Sequence, residues 1–386
     1  MKKLAIVTSH PVQYNAPLFQ LMAASDKIQI KVFYTWEQSG RGAKYDPDFG
    51  KHIEWDIPLL EGYEYSFVKN TAKDPGSHHF GGLVNPGLDA EIKGWGPDAL
   101  LVFGWSYHSH LRCIRYWHGR VPVFFRGDST LLDEHPGVRQ WMRRLFLRWV
   151  YRHVDRALYV GTNNKQYFLR HGLRERQLVF APHAIDNQRF ENPDALYRTQ
   201  AAEQRVRLGI KEGDLVLLFA GKLEVKKNPS FLLELARRVD DPRLKVVIVG
   251  NGVLEEQLKQ GASGDERIKF LPFFNQQQMP VIYRMGDIFV LPSRGPGETW
   301  GLGANEAMAS GCAVLLSDKV GGAVDLVDEG VNGIILRPED YEKGADWVRH
   351  LLGARSELDR MKAASRQRIH LFSYQAIVGA VESIMI

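Results

Sequence analysis

Short apolar runs alternate with amphipathic stretches along the whole chain. Short runs rich in β-branched and aromatic residues predict buried strands, and apolar residues at helical spacing between them predict helices. In the first half, LAIVTS, IQIKVFYT, ALLVFG, VPVFF, RALYVG and LVFAP read as strands. A section from about Gly40 to Trp95, rich in Gly, Asp, Tyr and His, shows no such rhythm. It is expected to be a long irregular loop, and its aromatic content favours a packed, functional one. The second half resumes with LVLLFAG, LKVVIVG, IKFLPF, DIFVLPS, AVLLSD and GIILR. Between the halves, HAIDNQRFENPDALYRTQAAEQRVRLGIKEGD is polar and reads as a linker followed by the first helix of the second half.

This pattern predicts an α/β protein of two Rossmann-like, doubly wound domains, at 1–190 and 191–371. The last segment, FSYQAIVGAVESIMI, predicts a helix over about 372–386. Ligands of such sheets bind beyond the carboxyl ends of the strands, so chemistry is expected in a cleft between the two domains.

Composition changes this picture little. A chain of 386 residues is long for one core. A hydrophobic share of 44% with 25% charged residues is ordinary for a globular protein. The net charge of +5 suits an anionic small molecule or an acidic membrane face at least as well as nucleic acid, and no nucleic-acid partner is expected. Cys113 and Cys312 sit in apolar contexts without metal-ligand spacing and read as buried thiols of a reducing compartment. The opening MKKLAIVTSHPVQY resembles a signal peptide only until Val7, and a first strand explains it better. No run reaches the ~18 apolar residues of a spanning helix, so a cytoplasmic protein is expected.

Two stretches carry candidate chemistry. In LLFAGKLEVKKNPSFLLELARR, a strand ends at Gly221 and Lys222 and Lys227 follow. Asn228 can cap the next helix, with Pro229 at its first position. The two ammonium groups form either a phosphate clamp or a solvated basic loop. In GETWGLGANEAM, Glu298 precedes a glycine turn and Glu306 follows it. Both could simply face water. With a helix starting near Gly301, however, Glu306 lies about 7.5 Å along it, at ~1.5 Å per residue, roughly the span of a diphosphate. A nucleotide-sugar could then rest its diphosphate on the helix N-terminus, with Glu298 at the sugar hydroxyls and Glu306 at the ribose. Gly301 and Gly303 would let main-chain amides approach the phosphate oxygens.

Residues 215–337 resemble the donor-binding domain of the glycosyltransferase family 4 enzymes, which have the GT-B fold. FAGKLEVKKNP resembles that family's basic motif and GETWGLGANEAMASGCAVLLSD its paired-glutamate motif. VGGAVDLVDEGVNGIIL resembles the segment after the next strand, and APHAIDNQRF the entry to the interdomain linker. The resemblance covers the second half closely and the first in outline. It implies a retaining transfer of a sugar from a nucleotide diphosphate, uridine-linked sooner than guanosine-linked, to a glycan or lipid-linked glycan. Lys222 and Lys227 would hold the departing diphosphate, with no metal or other cofactor, and Glu298 would position the sugar. Gly221, Asn251, Gly252, Phe273, Phe274, Trp300, Leu302 and the glycines above would line the donor. The first domain would bind the acceptor, and the terminal helix would pack back on it. The alternatives are a nucleotide-sugar epimerase-type GT-B enzyme and a catalytically silent sugar-nucleotide-binding protein.

The first half departs from the family. SHPVQYNAPLF lacks the usual glycine pair and offers His10, Gln13, Tyr14 and Asn15, as an acceptor or phosphate loop or as a buried turn. VPVFFRGDST lacks the common sugar-contacting histidine, and Arg126 or Asp128 either replaces it or forms a structural pair. FGWSYHSHLR gives Trp105, Tyr107, His108 and His110, where aromatics suit an acceptor sugar and the histidines make a weak metal signal. DPD at 46–48 matches the acid pair of metal-dependent sugar transferases but stands far from the donor motifs, and GNGVLE breaks the dinucleotide fingerprint at Glu255. VRQWMRRLFLRWVYRHVDR, at 138–156, groups Met142, Leu145, Phe146 and Trp149 on one helical face. Either that face packs on its domain with the arginines in solvent, or the helix lies on an anionic membrane.

Overall fold

The computed structural model describes residues 1–37, 44–46, 51–53 and 55–385, with 44–46 and 51–53 through their main chain alone. Pro47 and Asp48 of the DPD stretch lie outside these residues. The chain forms two compact units: Met1–Lys44 with Ile57–Pro182 and Tyr374–Ile386, and Tyr45–Asp56 with His183–Ser373.

The first unit is built on a seven-stranded sheet. Its strands are β1 (Lys2–Thr8), β2 (Ile28–Tyr34), β5 (Glu64–Phe67), β6 (Ala99–Phe103), β7 (Val123–Arg126), β8 (Arg156–Tyr159) and β9 (Leu178–Phe180), in the order β5-β2-β1-β6-β7-β8-β9. All pairings are parallel. Six strands coincide with the apolar runs, because a parallel sheet covered on both faces needs continuous rather than alternating hydrophobicity. The seventh, β5, corrects the expectation of an irregular section: EYSF is a short strand paired only with β2. That section also holds the helix Leu88–Trp95 and the two-stranded ribbon of β3 (Lys44–Asp46) and β4 (Lys51–Ile53). The helix Tyr374–Ile384 packs on the helix Ala16–Ala23. Its Glu382 accepts hydrogen bonds from Ser25 at 2.6 Å and Lys27 at 2.7 Å.

The second unit has six parallel strands: β10 (Leu215–Ala220), β11 (Leu244–Val249), β12 (Ile268–Leu271), β13 (Ile288–Leu291), β14 (Ala313–Ser317) and β15 (Gly333–Leu336). Their order, β12-β11-β10-β13-β14-β15, is the 3-2-1-4-5-6 arrangement of dinucleotide-binding sheets. Strand order reverses between β10 and β13, so the loops leaving these two strands border one crevice. Asp287 fixes the start of β13. Its carboxylate accepts from the Val216 amide at 3.0 Å and from Lys362 at 2.8 Å, with Arg205 at 3.5 Å. Burial pushes this carboxyl up, but Lys362 and Arg205 outweigh burial and hold it below the ordinary carboxylate range.

The helix Val138–Tyr151 turns most of the predicted apolar face the other way from the packed reading, and of that face Trp149 alone, half-buried, packs on the core. Leu147, Val150 and Tyr151 are its buried residues, while Val138, Trp141, Met142, Leu145 and Phe146 are exposed. Its inner flank is polar and partnered: Arg144 lies 3.5 Å from Glu134, and Arg143 donates to the Tyr167 hydroxyl at 3.3 Å. Among the described residues, no helix is long and apolar enough to cross a membrane. Cys113 and Cys312 are buried and unbonded, as their contexts predict.

Candidate functional site

In the second unit, the loops after β10 and β13 are joined at three points. Lys227 and Glu298 form a hydrogen-bonded ion pair. Asn228 donates through its side chain to the Pro292 carbonyl at 3.1 Å, and the Arg294 amide donates to the Lys226 carbonyl at 2.8 Å. Asn228 therefore does not cap the helix Ser230–Val239; Pro229 stands at that position, and Asn228 takes a left-handed φ of 53°. Asparagine tolerates that conformation better than most residues, which turns its buried amide toward the neighbouring loop. Lys222 is half-buried in the same loop.

Both glutamates are buried, Glu298 at 7% and Glu306 at 3% exposure, so neither is the water-facing helix residue that the packing alternative required. Glu298 also accepts from the Ser293 hydroxyl at 3.0 Å, and the Ser293 carbonyl accepts from Ser317 at 2.6 Å. Glu306 accepts from the Tyr283 hydroxyl at 2.7 Å. The helix starts where the spacing predicts, spanning Leu302–Ala309 after Gly301. Its first amides have no partner within the helix, and its dipole favours an anion.

Several of the expected donor residues also serve the fold. A Cβ on Gly301, at φ 94°, would stand 2.8 Å from Val320 and 2.9 Å from Leu291. A Cβ on Gly303 would meet Phe289 and the Tyr283 hydroxyl at 3.3 Å. The bare Cα atoms thus answer to close packing on the unit's own core. Trp300 is buried, and its indole donates to Asn305 at 2.9 Å, which leaves only its main chain for a ligand. Asn251 accepts from the Phe273 amide at 3.0 Å and donates to Glu255 at 2.8 Å, and so ties the ends of β11 and β12. Gly252 lets the chain pass so close that a Cβ would lie 2.5 Å from the Leu223 carbonyl oxygen. Phe274 is half-buried, and Gly221 closes β10.

The first-unit candidates divide in the same way. Arg126 is buried and donates to the carbonyls of Ala181 at 2.7 Å and Pro182 at 2.8 Å, so it is a clamp on the main chain and not a sugar contact. Burial lowers its guanidinium to about 10, against the opposing charge of Asp128. His110 is fully buried, with Nδ1 3.0 Å from the Phe103 carbonyl and Nε2 3.0 Å from the Thr35 hydroxyl. Desolvation lowers it to about 4, which keeps it neutral, and with both ring nitrogens engaged in the buried fold neither is open to a metal pair with His108. Trp105 is half-buried and packs edge-to-face on Phe146 at 5.4 Å, while Tyr107 donates to the Ser77 carbonyl at 3.2 Å. His108 is exposed beside Phe80. His10 lies 3.0 Å from the Ser9 hydroxyl and edge-to-face on Trp36 at 5.4 Å. Gln13 and Tyr14 are half-buried, and the Tyr14 carbonyl accepts from Tyr374 at 2.9 Å. Asn15 precedes the helix Ala16–Ala23 without a side-chain cap.

Sequence reading missed Ser293, Tyr283 and the stitching role of Asn228. A serine closing the predicted strand DIFVLPS was the available signal for the first; the other two carried none. Asp74, His78 and His79 bring one potential metal-ligand atom each within 4.8 Å of one another on an exposed loop, a grouping that also went unread.

The chain is similar to known proteins in sequence over part of its length and in fold. A D-inositol 3-phosphate glycosyltransferase of Geodermatophilus obscurus is 36% identical over 225 residues, covering 55% of this chain and 47% of that protein. Spore coat protein SA of Bacillus subtilis is 27% identical over 47% of this chain and 51% of its own length. The matched stretches thus span about half of these relatives. Among solved structures, Anabaena HepE in complex with UDP covers 100% of this chain and 99% of its own, with a TM-score of 0.73 at 17% identity. Sucrose-phosphate synthase from Thermosynechococcus elongatus gives a TM-score of 0.73 at 17% identity over 100% of this chain and 98% of its own. At such identities the likeness shows the fold, which is GT-B. Residues 200–368, which carry the lysine loop and both glutamates, match the Glycosyl transferases group 1 model.

Proposed function

We propose that the protein is a retaining glycosyltransferase that moves a sugar from a nucleotide diphosphate, UDP before GDP, to a glycan or lipid-linked glycan. The observation that carries this reading is the Lys227–Glu298 pair, held between the two switch-point loops beside the N-terminus of the helix Leu302–Ala309. A cation for the diphosphate and a carboxylate for the sugar hydroxyls stand together there. Donor binding would part the pair, with Lys227 and Lys222 taking the phosphate charge and Glu298 turning to the sugar. Glu306, oriented by Tyr283, would accept from the ribose hydroxyls. The acceptor oxygen would form its bond to the anomeric carbon on the face from which the diphosphate leaves. Its proton would pass to the departing phosphate oxygen, so no protein nucleophile is needed. The two lysines would supply the charge stabilisation without a metal ion.

The acceptor would bind the first unit, where His10, Gln13, Tyr14, His108 and Asp128 remain its candidates. A lipid-linked acceptor would be met at a membrane surface, and the helix Val138–Tyr151 is the element suited to lie there. UDP's presence in HepE supports the choice of base.

A thermal-shift panel of UDP, GDP and ADP with EDTA present tests the reading, on wild type and on Glu306→Gln, which keeps an acceptor for Tyr283. A nucleotide at a hundred times its dissociation constant adds about 2.7 kcal/mol of stability. We expect a shift with UDP that the variant weakens. Failure of every nucleotide to shift the wild type would sink the proposal.

A further inference from the structure

The exposed apolar stripe of the helix Val138–Tyr151 does not stand alone. Val138, Trp141, Met142, Leu145 and Phe146 recur at helical spacing and are exposed, Phe146 while packing edge-to-face on Trp105. Arg139, Arg148 and Arg152 are exposed as well; at 100° per residue Arg139 and Arg148 fall on opposite edges of that stripe, and Arg152 follows it just past the last turn. Beyond its last turn the helix borders a cavity of about 620 Å³ lined by Arg148, Arg152, Arg156, Arg174 and Arg176. Asp155 is the one carboxylate of the lining, and it already accepts from the Val123 amide at 2.8 Å. None of the five arginines is ion-paired among the described residues, and Arg156 is tied to the site through the Arg176 carbonyl at 3.1 Å. Five guanidinium groups against one carboxylate set up a local potential that recruits an anion, and planar donor forks match phosphate oxygens.

An apolar strip that ends in a phosphate-shaped charge cluster has the layout of a lipid, with hydrocarbon and headgroup phosphate side by side. From Leu145 to Arg152 the helix rises about 10 Å, comparable to the depth over which an interfacial helix buries its apolar face. Nucleic acid would match the arginines but leave the stripe in water. We propose that the arginine cavity binds the headgroup phosphate of an anionic phospholipid, docked beside the apolar stripe of this helix. The site rests on the membrane-facing reading of the helix and names the group that the membrane must present.

The test floats the full chain on vesicles of phosphatidylcholine alone or mixed with phosphatidylglycerol. The cavity variant is Arg174→Ala with Arg176→Ala, which leaves the helix untouched. The stripe variant is Trp141→Ser with Leu145→Ser. A control removes the same charge from exposed arginines of the second unit, Arg237→Ala with Arg349→Ala. We expect wild-type binding only with phosphatidylglycerol, an about tenfold or greater loss in the cavity variant, loss in the stripe variant, and little change in the control. Equal losses in cavity and control variants would reduce the effect to net charge and overturn the site. Undiminished binding of the cavity variant, or no vesicle binding by the wild type, overturns it too. The UDP shift is measured on the same preparations: its persistence would leave the donor proposal standing whatever the vesicles show.

Discussion

Both units order the strands around their switch points alike, with the first strand of each sheet flanked by the second and by a later crossover, but they use their loop residues differently. After β10 and β13 the ionisable groups Lys227 and Glu298 face one another across two loops. In the first unit, His110 beyond β6 and Arg126 at the end of β7 are sunk into the fold and satisfied by main-chain carbonyls and a threonine hydroxyl. Ionisable side chains near the strand ends of the two sheets thus have opposite fates, and burial with saturated partners separates them. A group paired to another ionisable side chain can exchange that partner for a ligand. A group that saturates main-chain carbonyls has nothing left to exchange.

The largest effect should come from breaking the second-unit pair. Lys227→Ala and Glu298→Gln are each expected to lower kcat/KM for sugar transfer about a hundred- to a thousandfold, the usual cost of removing one charge-stabilising group. The double variant should fall little further, because groups acting as a unit are not additive. Steady-state kinetics, with circular dichroism to confirm the fold, would check this, and fully additive losses would break the idea of a coupled pair. Next comes Arg126→Ala, expected to cost about 2–3 kcal/mol of stability through two charge-assisted hydrogen bonds while the UDP shift persists. Urea unfolding gives the first quantity and thermal shift the second. A stable Arg126→Ala protein with weakened acceptor turnover would return Arg126 to the substrate.

What the chain disclosed follows the same division. Every strand of the second unit was legible, because parallel strands buried on both faces read as unbroken apolar runs. β5 was not, since four residues at a sheet edge are too few and too exposed to show a period. The helix Val138–Tyr151 displayed its apolar face correctly, but periodicity alone cannot tell core from surface. Here the core took the other side through Leu147, Val150 and Tyr151. Glu298 and Glu306 were found by their spacing, whereas the Lys227–Glu298 contact joins residues 71 positions apart and has no local signature. Arg126 and His110 misled because residue type is the same for a clamp and for a catalyst, and only their buried partners distinguish the two.

The smallest expected effect separates the units by pH. His110 is held neutral in the fold, with its pKa lowered to about 4 by burial, whereas in the unfolded chain it titrates near 6.5. Between these values the unfolded state binds the extra proton, so stability is complete above about 6.5 and declines as pH falls toward 4. From pH 7.5 to 5.5 this amounts to about 1 kcal/mol. The second unit's buried carboxylate loses its contribution in the same direction but in a lower window. Asp287 is held below the ordinary carboxylate range, so its contribution persists through this window and is lost only as pH drops below about 4. Urea unfolding of wild type and His110→Asn at the two pH values would isolate the histidine, since the variant should lose that part of the pH slope whatever its baseline stability. An unchanged slope would mean that His110 gains a proton in the folded protein. It would then be an accessible group, and the contrast between the two units would narrow to Arg126 alone.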